Sequence, residues 1–363
     1  MTPYTHGGNM AQAARLLGIS ASRILDFSAN VNPMGLPSRA AQRLAREASD
    51  PTISAHYPDP EYTELRCLLS QQLAVPAECI LIGPGAAALI HSAICALAPR
   101  RCLIPVPAFC EYERACHACG SSPHFVPLPP DFDLASLSLF EASSGDLVIL
   151  NNPHNPGGAC ASRDEMLFLI AAALSRGANV LVDEAFIDYS PESAITREAA
   201  APQANTAGLI AIRSLTKFYG CAGLRVGYAV TAPETASRIA AKSPPWPVST
   251  LAQNALAEAL RDTDYIREAL ETNRTARMSL GASLTALGCR VHPAAANFLL
   301  IQLPARFPSA HIREKLFRDY AVLVRECDSF RGLEGQNYIR VAVRRETENA
   351  RLLEALTAIF GDS

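Results

Sequence analysis

Three short apolar runs in the middle of the chain, Asp146–Leu150, Asn179–Val182 and Leu209–Arg213, each stop at polar sequence that favours turns. Runs this short bounded by turn residues read as buried strands, and helical periodicity fills the sequence between them. That alternation predicts a mostly parallel sheet covered by helices. Ile80–Ile82, Arg101–Ile104 and Val226–Val230 extend the strand pattern, while Glu61–Leu73, Ala87–Leu97 and Asp164–Ser175 read as helices. The expected fold class is α/β, with the sheet in a large domain at residues 50–257. The Pro-rich stretch Pro123–Pro130 reads as a loop.

The last third changes character. One long helical pattern from Ser249 to about Leu287 leads to strands at Asn297–Gln302 and Tyr338–Val343 and helices at Ser309–Tyr320 and Glu346–Ile359. Two strands and two helices make a smaller α+β domain, which with the N-terminal arm gives a second unit of residues 1–49 and 258–363. In the arm, Met10–Leu17 is expected as a helix, with Asn9 at its N-cap and Gly18 just past its end.

At 363 residues and 49% hydrophobic content, the chain can build a sizeable core. A formal charge of -3 without blocks of like charge gives no field for nucleic acid. No apolar stretch reaches the length of a membrane span, and the first nine residues lack the basic and apolar regions of a signal peptide. A cytoplasmic location is expected. Eleven scattered cysteines suit a reducing compartment better than a disulfide framework. Cys116-His-Ala-Cys119 has no second CxxC or His-x-x-x-His to complete a metal site, and Glu113–Gly120 reads as a short helix, so these read as structural thiols.

Ligands in open α/β sheets bind outside the carboxyl ends of the strands. Three segments can therefore converge: Asn151-Asn-Pro-His-Asn155-Pro-Gly-Gly158, Asp183-Glu-Ala-Phe186 and Ser214-Leu-Thr-Lys217. Lys217, between a strand and a glycine-rich return, is a candidate Schiff-base residue. Its amine attacks an aldehyde only when deprotonated, which calls for a desolvated pocket or nearby cations. The other residue types suit the edges of a pyridoxal ring. Asp183 would keep the pyridine nitrogen protonated, Asn155 would donate to the ring oxygen, and Ser214 and Arg225 would bind the phosphate. Gly83-Pro-Gly85-Ala86-Ala87 opens a helix whose first N–H groups are a ready anion site. Singly, each fragment is an ordinary turn or strand end. Their joint order, each following an apolar strand, is hard to produce by chance.

Longer segments carry a family likeness: His6-Gly-Gly-Asn9, Leu25-Asp-Phe-Ser-Ala-Asn-Val-Asn-Pro33, Tyr57-Pro-Asp59, Asp183-Glu-Ala-Phe-Ile-Asp188, Arg213-Ser-Leu-Thr-Lys-Phe-Tyr219, Gly223-Leu-Arg-Val-Gly-Tyr228, Pro245-Trp246 and Tyr338-Ile-Arg-Val-Ala-Val-Arg344. With these the chain resembles the fold-type I pyridoxal-phosphate enzymes of the histidinol-phosphate aminotransferase-like group. Within that group it is most similar to the L-threonine-O-3-phosphate decarboxylases of cobalamin biosynthesis. The resemblance implies a pyridoxal 5'-phosphate cofactor bound covalently to Lys217, with Asp183, Asn155, Ser214 and Arg225 in the roles above. It implies a homodimer in which Tyr57 reaches the phosphate of the neighbouring subunit's cofactor, and an aromatic Phe109 stacked on the ring. His6, Asn30, Asn297 and Arg340 would meet substrate, Arg340 from an alternating strand whose apolar face packs. Two departures stand out: Gly85-Ala86-Ala87-Ala88 lacks the hydroxyl and carboxylate side chains usual in the decarboxylases, and Phe186 replaces the tyrosine common in the aminotransferases.

The expected partner is a small phosphoamino acid, with no nucleic acid and no membrane. L-Threonine phosphate and L-serine phosphate differ by one methyl group, worth only ~1–3 kcal/mol in a pocket, and no residue separates them. A histidinol-phosphate-type aminotransferase is the second reading, because the choice between decarboxylation and transamination depends on which Cα bond stands perpendicular to the ring. A cofactor-binding regulatory domain is a third, disfavoured by charge and by a catalytic motif that begins near the N-terminus.

Overall fold

The computed structural model describes residues 7–139, 141–200 and 208–361. The arm helix Met10–Leu17 is bounded as expected: Asn9 Oδ1 accepts from Gln12 N at 3.1 Å, and Gly18 closes it in the left-handed region at φ 65°. Leu25–Asp26 (β1) then pairs in parallel with Val322–Leu323, tying the arm to the C-terminal third.

The large sheet comprises Ile80–Gly83 (β2), Arg101–Val106 (β3), Ser122–Pro127 (β4), Asp146–Asn151 (β5), Asn179–Asp183 (β6), Leu209–Ser214 (β7) and Gly227–Thr231 (β8). Their order is β2-β8-β7-β6-β5-β3-β4, and β8 runs antiparallel to both neighbours while the remaining pairs are parallel. Helices cover both faces, which is why the central strands are apolar throughout. Alternate residues serve opposite cores: Val148, Leu150, Val180 and Val182 face one, and Leu147, Ile149, Leu181 and Ile210 the other. The register sets Asn151 beside Asp183, Asp183 beside Ile212, and Ser214 beside Gly227. The carboxyl ends of β5, β6 and β7 therefore form one rim.

The smaller unit holds Arg290–Val291 (β9), Phe298–Gln302 (β10), Val322–Leu323 (β11), Arg325–Glu326 (β12) and Tyr338–Ala342 (β13). Four of these make an antiparallel sheet in the order β12-β13-β10-β9. The two expected strands are its centre. The flanking two-residue strands are too short to carry a periodic signal.

Two other expectations are corrected. Pro123–Pro130 is not all loop, since Ser122–Pro127 is the edge strand β4, paired with β3 alone. Proline lacks an N–H to donate and is tolerated where one side of the strand needs no partner. The long pattern from Ser249 is two helices, Thr250–Arg261 and Thr263–Ala286. Asp262, at φ -87° and ψ 79°, breaks the run, and its carboxylate caps the second helix by accepting from Tyr265 N at 3.0 Å.

The two units meet around Asn32. Its N–H donates to Lys217 O at 3.0 Å, and Nδ2 donates to Phe218 O at 2.8 Å and to Tyr265 Oη at 3.2 Å. Asn32→Ala removes the Nδ2 donor and leaves Phe218 O with only the 3.3 Å bond from Tyr265 Oη, an expected loss of ~1–3 kcal/mol. Urea unfolding should show a lower midpoint with an unchanged slope; an unchanged midpoint would show that these bonds contribute nothing.

Candidate active site

The rim opens into a cavity of about 240 Å³, lined from both units. Asn151 organises its floor. Its Nδ2 donates to Asp183 O at 2.9 Å and its Oδ1 accepts from Asn155 N at 2.7 Å, so one side chain joins the ends of β5 and β6. Asp183 is buried, with Oδ1 accepting from Ala185 N at 2.9 Å and Oδ2 from Tyr112 Oη at 2.6 Å. Burial raises its pKa, opposed by the Tyr112 and Ala185 hydrogen bonds and by the Lys217 charge.

Lys217 follows β7 in the short helix Leu215–Phe218 and lines the cavity. Desolvation, with smaller contributions from Arg340 and Arg225, pushes its ammonium from 10.5 down to about 8, and Asp183 acts in the opposite sense. Ser214 and Thr216, whose hydroxyls lie 2.9 Å apart, and Arg225 line the same cavity. So do Ala86 and Ala87, at the start of the Ala86–Leu97 helix, where Gly85 provides no side-chain cap and leaves the first N–H groups available. Gly85 has φ 92°, and a Cβ there would come within 2.8 Å of Arg225 Nη2. Glycine thus lets the guanidinium close over the helix start.

From the small unit, Arg340 on β13 reaches the cavity, nearly buried. It donates to Asn155 Oδ1 through Nη1 and to Ser28 O through Nη2 at 3.1 Å, while its Nε has no partner. Burial pushes it from 12.5 to about 10. Because Asn155 Oδ1 faces Arg340, its amide nitrogen remains the available donor. Arg325 on β12 sits across from Arg340 in register and also lines the cavity, with its Nη2 donating to Ser329 Oγ at 2.5 Å.

The cavity thus collects Lys217, Asp183, Ala86, Ala87, Phe109, Asn155, Ser214, Arg225, Asn30 and Arg340 of the expected set, with Gly85 directly behind Arg225. Asn30 is buried, with Oδ1 unpartnered. Two residues lie elsewhere. Tyr57 is 78% exposed and stacks on Trp246 with ring centroids 4.5 Å apart. Asn297 is buried with both amide atoms unpartnered but does not line the cavity, and its carbonyl accepts from Val343 N at 2.8 Å. His6 lies outside the described residues. Arg325, Thr216, Ser28 and Tyr112 were not foreseen. Thr216 and Ser28 stand inside segments already singled out, whereas Tyr112 and Arg325 are defined only by what they face across the fold.

A seven-stranded, mostly parallel sheet with a small antiparallel one, and a lysine, a carboxylate and an anion cradle at the strand ends, is the two-domain arrangement of fold-type I pyridoxal-phosphate enzymes. The chain matches the family described as aminotransferase class I and II over residues 22–356 and belongs to it. It is 33% identical over 360 residues to the threonine-phosphate decarboxylase of Salmonella typhimurium, covering 98% of this chain and 96% of that protein. The histidinol-phosphate aminotransferase from Clostridium acetobutylicum superposes with a TM-score of 0.83 at 28% identity, covering 94% of this chain and 100% of that one. L-Threonine-O-3-phosphate decarboxylase from Porphyromonas gingivalis gives 0.81 at 27%, covering 93% and 100%. Among the described residues, no helix is long and apolar enough to cross a membrane.

The depressed lysine makes the site's reactivity pH-dependent. Its amine becomes neutral as pH rises through about 8 rather than 10.5, so the rate of covalent reaction with the pyridoxal phosphate aldehyde, followed by absorbance, should rise with that midpoint. Arg340→Gln removes a cation that disfavours protonation and should move the midpoint upward. A midpoint near 10.5 in the wild type would refute the electrostatic account.

Proposed function

We infer that the chain decarboxylates L-threonine O-3-phosphate to (R)-1-amino-2-propanol O-phosphate and carbon dioxide, with pyridoxal 5'-phosphate as cofactor, in cobalamin biosynthesis. The carrying observation is the pair Arg325 and Arg340, in register on β12 and β13 and both lining the cavity in addition to Arg225. Arg225, Ser214, Thr216 and the Ala86–Ala87 N–H groups suffice for the cofactor phosphate. Two further arginines then match a substrate with two anionic groups, a carboxylate and a phosphate.

The residues fit the cofactor by their own chemistry. A buried carboxylate at Asp183 suits a protonated ring nitrogen, the Asn155 amide is left as donor for the ring oxygen, and Phe109 stands on the cavity wall. The hydroxyls missing from Ala86–Ala88 are offset by Ser214, Thr216 and the close approach of Arg225 to Gly85. When bound, the cofactor supplies a ring that accepts the electron pair of the Cα bond that breaks. With the cofactor bound, Lys217 would hold its aldehyde, and its free amine would be placed to return a proton to Cα as a general acid. Arg340, fastened to Asn155 and Ser28, would hold the substrate carboxylate, and Arg325, held toward Ser329, would take its phosphate. Tyr57, exposed in the single chain, is assigned to the partner's site in a homodimer. His6, Asn30 and Asn297 are kept as substrate-side residues, Asn297 behind the wall rather than on it.

A histidinol-phosphate-type aminotransferase is the second reading, supported by the likeness to the Clostridium acetobutylicum enzyme. The phosphorylated amino acid itself separates the two. Incubated with L-threonine phosphate or L-serine phosphate, the holoenzyme should release carbon dioxide stoichiometric with amine; keto-acid formation dependent on a 2-oxo acid would establish the aminotransferase instead. Arg325→Gln should lower kcat/KM for the phosphorylated substrate by about 1.5–3 kcal/mol, roughly 10–150-fold, with little change for unphosphorylated threonine. Tyr112→Phe removes a donor to Asp183 and should weaken cofactor binding by ~1–2 kcal/mol; an unchanged dissociation constant would remove Tyr112 from the cofactor network.

A further inference from the structure

Cys119, the outer residue of the CxxC segment, is not a free structural thiol: it is disulfide-bonded to Cys95, with Cα atoms 5.1 Å apart. Its companion Cys116 is buried and faces Cys102, so the segment divides between an inner thiol pair and an outer site nearer solvent. His91 and Cys95 stand one turn apart on the Ala86–Leu97 helix, and Cys119 closes the Cys110–Ala118 helix beside them. His91 Nδ1 lies 3.9 Å from Cys95 Sγ and Nε2 lies 4.0 Å from Cys119 Sγ. One ligand atom from each residue falls within 4.8 Å of the others.

We propose that His91, Cys95 and Cys119, once the disulfide is reduced, form a two-thiolate, one-imidazole site for a thiophilic divalent cation of the zinc type, with its fourth position open to water. In a tetrahedral site with Zn–S ≈ 2.3 Å and Zn–N ≈ 2.0–2.1 Å, nitrogen and sulfur stand roughly 3.5 Å apart. Each ring nitrogen is within about half an ångström of that separation from one sulfur, and with one ligand atom of each residue already within 4.8 Å of the others, side-chain rotation after reduction has to part the sulfurs and bring one nitrogen to both. The chemistry balances with a dithiol reductant: it reduces the Cys95–Cys119 bond by two electrons, supplies two protons to the sulfurs, and becomes a disulfide itself. Zinc then displaces the two thiol protons, neutral His91 donates a ring lone pair, and the two thiolates cancel the dipositive charge. His91 is exposed and both cysteines are half-buried, so the cation can enter from solvent. The two helices joined here begin at the cavity, one with Ala86 and Ala87 and the other after Phe109. Either link, disulfide or metal, therefore ties together the far ends of two elements that frame the active site.

Zinc binding by the holoenzyme is measured by competition against a chromogenic chelator, before and after reduction, with the bound-cofactor absorbance as the check of folding. The reduced protein should bind one zinc per chain, the unreduced protein none there, and cobalt in its place should give a thiolate charge-transfer band with tetrahedral ligand-field bands. Cys119→Ser and His91→Ala should each weaken zinc binding ~10-fold or more, while Cys67→Ser, which alters an exposed thiol outside the cluster, should leave it intact. Equal zinc affinity in Cys119→Ser and the wild type, undiminished affinity in His91→Ala, or binding that needs no reduction would overturn the site.

Discussion

The site depends on one imbalance of charge: Lys217, Arg340, Arg225 and Arg325 line a cavity in which, among the described residues, Asp183 is the lining carboxylate, with Arg340 buried, Lys217 and Arg325 half-buried and Arg225 exposed. Each cation raises the cost of protonating its neighbours in a medium that screens poorly. Lys217 yields because an ammonium can lose its proton where a guanidinium does not. Burial lowers the lysine most, Arg340 and Arg225 add to it, and the field of these same cations suits the cavity to anions. The lowered lysine and the anion-binding cavity therefore share part of one electrostatic field.

That field requires the charges to be held against their own repulsion, and the fold does so by backbone register more than by salt bridges. Asn151 locks the ends of β5 and β6, Asn32 ties the arm to the Lys217 turn, and Arg340, bonded to Ser28 of its own unit, crosses to Asn155 of the other. Neutral partners satisfy the hydrogen-bonding groups without cancelling the charge. Carboxylates in the same places would have quenched the site.

Legibility in the sequence follows from the same geometry. Asp183 ends β6, and Lys217 and Asn155 come three and four residues past the ends of β7 and β5, so the strand pattern with the rule that ligands bind at strand carboxyl ends places them on one rim. The parallel sheet was legible because strands buried on both faces leave no polar alternation to confuse the reading. Arg325 was hidden because β12 has two residues and its meaning comes from lying opposite Arg340. Tyr112 stands 71 residues from the carboxylate it serves. Asn297, just before β10, is buried with both amide atoms unpartnered and does not line the cavity, and no local pattern tells a buried amide from a lining one. The Cys95–Cys119 pairing joins two helix ends 24 residues apart, and no local pattern encodes that approach.

The lowered lysine also sets a relation between site and stability. Below the unfolded value of 10.5 the unfolded chain binds a proton that the folded chain declines until about 8, so this group opposes folding increasingly through that window and most fully beneath it. The sign is that of a function-bearing residue, not of a stabilising one. Any anion that enters the cavity reverses part of this cost, since it binds the native state and not the unfolded chain. A dianionic phosphate near Arg225 would offset the repulsion that Arg225 and Arg340 exert on Lys217. An anion held among Lys217, Arg225, Arg325 and Arg340 would therefore add to the stability of the native state at neutral pH.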